Sequence, residues 1–131
     1  MIKKLAAAAV VAGSLLVLAP QSAFAATQNG TVTVPAGDRR CIDLPTTASR
    51  NAQANDFVVS GHKVKFVFLV KTLGSSSFVE VGNSGTDPVS SYGRYITTAT
   101  DPSAFPGVFR TCANNMSDKS STVYLSLTTD A

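Results

Sequence analysis

Residues Ser121 to Thr128 alternate strictly: Val123, Leu125 and Leu127 are separated by Thr122, Tyr124, Ser126 and Thr128. A period of two marks a strand with one dry face and one wet face, because successive side chains leave a strand on opposite sides. No window beyond residue 25 carries the apolar spacing of an amphipathic helix of useful length. A chain so restricted has to bury its apolar faces sheet against sheet.

Seven further runs carry this pattern or a variant of it. Thr31 to Val34 alternates, Arg40 to Leu44 does so between Gly37 and Pro45, and Asp56 to Ser60 runs into Gly61-His62. Lys63 to Thr72 is the strongest. Val64 and Phe66 first alternate with Lys63 and Lys65, and then Val67 to Val70 are apolar on both sides, as in a central strand passing under covering structure. Phe78 to Gly82, Arg94 to Thr100 and Val108 to Asn114 complete the set, with turn-rich stretches at Asn83 to Gly93 and Asp101 to Gly107. The pattern predicts an all-β fold: one antiparallel two-sheet sandwich of about eight strands, with Greek-key or jelly-roll connections. Residues 45–55 are the longest stretch without a strand signal and are expected to form a long crossover with room for a short helix.

The first 25 residues stand apart. Lys3 and Lys4 precede an apolar run from Leu5 to Leu18, Pro20 ends it, and Ala23-Phe24-Ala25 supplies small residues for cleavage. This is the pattern of a secretory signal, giving a leader over 1–25 and a sandwich domain over 26–131. The apolar run is about 14 residues, short of the roughly 20 that a spanning helix needs. No Cys follows to take a lipid, and Leu127 to Ala131 shows no anchoring tail or sorting motif. The expectation is a secreted bacterial protein, free in the medium or loosely held at the cell surface, with no membrane insertion after cleavage. The leader also distorts the composition. The whole chain is 44% hydrophobic with a net charge of +3, but removing two of its 11 cations leaves nine against eight acids. A nearly neutral domain with scattered cations is no charge-driven nucleic-acid binder.

Cys41 and Cys112 are the only cysteines, and in an exported domain an even pair reads as one disulfide. The loop from 41 to 112 is long enough for a bridge to contribute roughly 4 kcal/mol in the chain-entropy account.

Catalytic chemistry finds little support. His62 is the only His, with Asp56 six residues earlier, but no Gly-x-Ser-x-Gly elbow accompanies it, and a solvated hairpin turn explains it. Glu80 is the only Glu, and the seven Asp sit mostly at turns. No transition-metal ligand set or phosphate loop is present, and no cofactor is expected. The segment Asn83 to Asp87 offers alternate oxygen ligands, enough for weak calcium binding at most.

Binding surfaces are the better candidates. Tyr92, Arg94 and Tyr95 surround Gly93 in a composition suited to a sugar ring or a peptide, although the absence of Trp counts against polysaccharide. Phe105 sits in a loop braced by Pro102 and Pro106, which suits an inhibitor loop or a plug for the end of the sandwich. Thr31, Thr33, Thr122, Ser126 and Thr128 leave the first and last strands uncharged, as edges open to a second copy. Asn29-Gly30-Thr31 and Asn115-Met116-Ser117 fit glycosylation sequons. The expected function is therefore non-catalytic binding of an extracellular protein, a glycan or another copy. An inhibitor of an extracellular hydrolase or protease comes second, and a small hydrolase using His62 third.

Overall fold

The computed structural model describes residues 26–130, so the leader assigned to 1–25 lies outside the described residues. Eight strands follow in order: β1 Ala26–Val34, β2 Arg39–Ala48, β3 Asn51–Gly61, β4 Lys65–Thr72, β5 Val79–Asn83, β6 Ser91–Thr97, β7 Gly107–Asn114 and β8 Ser121–Thr129. They form two antiparallel four-stranded sheets, β1-β8-β3-β6 and β2-β7-β4-β5. Only β4 and β5 are successive strands within one sheet; every other connection passes between sheets, the winding of a jelly roll. The single helical piece among the described residues is one 3₁₀ turn, Pro102–Ala104.

Alternation decides what lies between the sheets. Along β8, Val123, Leu125 and Leu127 are fully buried, and they meet Phe66, Phe68 and Phe109 from the facing sheet, also fully buried. Each such side chain contributes about 2–3 kcal/mol of burial. Phe68 and Phe109 lie 5.3 Å apart with tilted rings at the centre of the larger cluster.

Cys41 and Cys112 form the expected disulfide. They are directly opposed on β2 and β7, so the bridge joins neighbours within one sheet. It sits on the outward row Cys41, Cys112, Val67 of that sheet, with Arg39 donating to Asn114 on one flank and Arg110 to Asp43 on the other.

Four expectations change. The crossover expected at 45–55 is strand on both sides of a short turn, because β2 runs on through a register shift between Leu44 and Ala48, past Pro45. Ala48, Ala52 and Ala54 are buried there, so small side chains carry the pattern that larger ones carry elsewhere. The turn itself is held by Asp130, whose carboxylate accepts from the Ser49 and Arg50 amides at 2.8 and 3.0 Å. Gly61-His62 is not a hairpin, since β3 and β4 lie in different sheets. β8 is no edge: it runs between β1 and β3, leaving β1 and β6 as the edges of the first sheet. The strand expected at Arg94 to Thr100 begins earlier, at Ser91, and ends at Thr97, where the Thr97 and Thr100 side chains close a turn.

Candidate binding face

The two sheets differ on their outer surfaces. On the second sheet the outward rows carry Arg39, Asp43, Lys65, Lys71, Glu80 and Arg110. On the first sheet no charged side chain faces out. β1 presents Thr27, Asn29, Thr31 and Thr33, and β8 presents Thr122, Tyr124, Ser126 and Thr128. β3 presents Asn51, Gln53, Asn55 and Phe57, and β6 presents Ser91, Gly93, Tyr95 and Thr97. These strands are two-faced because their inward positions supply half the core, which leaves the outward ones free of packing demands.

Register assembles them into rows. Thr31, Tyr124, Phe57 and Ser91 form one row across four strands, and Thr27, Thr128, Gln53 and Tyr95 form another. In the first row the Phe57 ring, 44% exposed, stacks on Tyr124 with centroids 5.0 Å apart and planes at 28°. Tyr95 in the second row is 51% exposed. Four residues of strand and one strand spacing separate Phe57 from Tyr95, about 14 Å. Between the rows Asn55 pairs with Gly93. A shallow, open hollow of about 270 Å³ lies here, lined by Asn55, Asp56, Phe57, Ser91, Tyr92 and Gly93. A Cβ at Gly93 would stand 3.3 Å from Asn55 Oδ1.

Beneath this hollow the sandwich is polar. Asp56 is 2% exposed and turns inward. Thr111 of the facing sheet donates its hydroxyl to one carboxylate oxygen at 2.5 Å, and the Ser126 amide donates to the other at 3.2 Å. Burial pushes the Asp56 carboxyl up to about 6, although both hydrogen bonds pull it down. Tyr92 also faces in, its ring 6.5 Å from Phe66 and nearly parallel to it. Burial drives its phenol up to about 12, and its buried hydroxyl has no hydrogen-bond partner. Gly82 makes room for it, since a Cβ there would overlap the Tyr92 hydroxyl.

The residues singled out from sequence are thus dispersed. Tyr92 and Tyr95 face opposite ways, and Arg94 is paired with Asp101 at 3.4 Å. Phe105 is partly buried against Phe109, 5.5 Å between centroids, so it packs as a plug and does not project from its loop. His62 lies at an exposed crossover beside Lys63 and Met116, and Asp56 bonds elsewhere. Asn83 Oδ1 is taken by the Gly85 amide at 2.8 Å, and its side-chain amide donates to Glu80. Among the described residues no three His, Cys, Asp or Glu come together as a metal site. Asn115 is 1% exposed with its amide bonded to Val34 and Lys119 carbonyls, so in the folded state it cannot accept a glycan. Asn29 is exposed. Phe57 and Tyr124 were not singled out: both are ordinary strand residues in the sequence, and only the pairing of β3 with β8 brings them together.

Fold and face together define a single-disulfide jelly-roll domain with one uncharged, aromatic outer surface. No family model matches the chain, and no curated protein matches it. Among solved structures it is similar to a mitogen from Yersinia pseudotuberculosis, with 16% identity over 79% of this chain and 86% of that one, at a TM-score of 0.53. At that identity the likeness is one of fold.

Proposed function

We propose that the protein is an exported, non-catalytic binding domain whose partner docks on the outer face of the β1-β8-β3-β6 sheet. The observation that carries this reading is the contrast between the two outer faces, one charged and one free of charge with partly exposed rings. Export is supported by the leader pattern and by a cysteine pair bridged as in oxidising compartments. His62 and Asp56, the pair a hydrolase would have used, point to different surroundings.

Hydroxyl-radical footprinting tests this reading. The full chain, expressed for export and recovered from the medium, is mixed with envelope material from the cells that make it. Protection is expected at Phe57, Tyr95 and Tyr124 and not at Phe78 or Leu69 of the opposite sheet. A footprint on the opposite sheet refutes the assignment.

A further inference from the structure

We infer that this face binds a neutral glycan, seated with one sugar ring on the Phe57–Tyr124 pair and the adjoining part of the chain in the hollow beside Gly93. The inference rests on the face assigned above and names its ligand class.

Charge is the first argument. A sugar acid or sulfated glycan needs cations to offset its desolvation, and the face offers none; a basic ligand would find only Asp56 under the hollow, 2% exposed and already bonded to Thr111 and the Ser126 amide. A neutral polyhydroxylated chain meets neither difficulty. The second argument is the mixture of groups. Sugar rings present apolar C–H faces and a rim of hydroxyls that both donate and accept. Phe57 offers a partly exposed ring steadied by stacking on Tyr124, and Asn55, Gln53 and Ser91 offer amides and a hydroxyl that also work in both senses. The third is shape. The hollow between the Phe57 and Tyr95 rows is left open at Gly93, which has no side chain to project into it, and its lining includes Asn55 and Phe57. The floor is backbone locked into the β3–β6 ladder, so ordering costs on binding are small.

A second copy of the chain fits less well. Protein interfaces gather aromatics, Met and Arg around a dry apolar centre, whereas here the outward rows are hydroxyls and amides apart from the rings, Gly93 and the exposed Val59 at the β3 bulge.

The test is an amide-resonance titration of the exported full chain with cellotetraose, xylotetraose, mannotetraose and chitotetraose, against tetragalacturonate and a heparin tetrasaccharide. At least one neutral probe is expected to shift Asn55, Phe57, Gly93 and Tyr124 saturably at millimolar concentration, while both anionic probes leave them in place. Phe57→Ala should weaken that binding about tenfold or more, a loss of about 1.4 kcal/mol or greater. Gly93→Ser, which projects a hydroxymethyl group into the hollow beside Asn55, should weaken it several-fold. Absence of shifts with every neutral probe, or equal shifts with the anionic ones, overturns the glycan assignment. If that failure is accompanied by concentration-dependent sedimentation that Phe57→Ala abolishes, the face stands and its occupant is a second copy. If the footprint also misses the face, both readings fall.

Discussion

Asp56→Asn probes the buried polar contact between the sheets. Asp56 is almost fully enclosed, and burial lifts its carboxyl from near 3.8 to about 6. The folded state therefore holds this proton more tightly than the unfolded chain does. Between those two values the native protein carries more protons, so stability falls as pH rises. Well below 3.8 both states are protonated and the term vanishes; above 6 both are ionised and it is complete. The displacement corresponds to about 3 kcal/mol in full, of which roughly 2–3 kcal/mol develops between pH 4 and pH 7.5. Asparagine keeps an oxygen for the Ser126 amide, and the Thr111 hydroxyl can turn to accept from the new amide group. The assay is urea unfolding of wild type and variant at both pH values. The stability of the variant relative to wild type should increase by roughly 2–3 kcal/mol on going to the higher pH, a difference in which all other titrating groups cancel. A relative stability that stays constant, or that moves the other way, would falsify the reasoning.

Three further outcomes are expected. Replacing both Cys41 and Cys112 by Ser removes a cross-link between residues 71 apart in sequence and should lower the unfolding free energy by roughly 4 kcal/mol, read from urea midpoints under non-reducing conditions. Gly107→Ala puts a Cβ onto Val70 and 2.7 Å from the Ala104 carbonyl, so it should cost about 1–3 kcal/mol in the same measurement. Asn115→Ala strands the Val34 carbonyl and the Ser117 amide and leaves the Lys119 carbonyl to the Ser117 hydroxyl alone; a loss of about 2–3 kcal/mol is expected, and a loss under about 0.5 kcal/mol would show that water replaces the side chain freely.

Much of the architecture was legible in the residues. Val123, Leu125 and Leu127 announce the inward face of β8, and the apolar stretch Val67 to Val70 announces an interior strand, because burial on one or both faces leaves a direct imprint on composition. The stretch 45–55 misled because its apolar buried positions are Ala48, Ala52 and Ala54, small residues with little strand propensity to betray their burial. The site was less legible. Tyr92 and Tyr95 looked like one cluster, but three positions apart on a strand place them on opposite faces.

The sequence by itself determined that the described chain forms two-faced strands, that those strands make a sandwich, and that its two cysteines are partners. Each follows from local periodicity or from there being a single pair to choose. Only the tertiary structure decided which wet faces join. Phe57 meets Tyr124 across 67 residues of chain, and Asn55 meets Gly93 across 38, through strand pairings set by the whole core. Outward residues bury little and so leave no mark of their neighbours in the sequence. An uncharged surface with a hollow in it is for that reason a property of register.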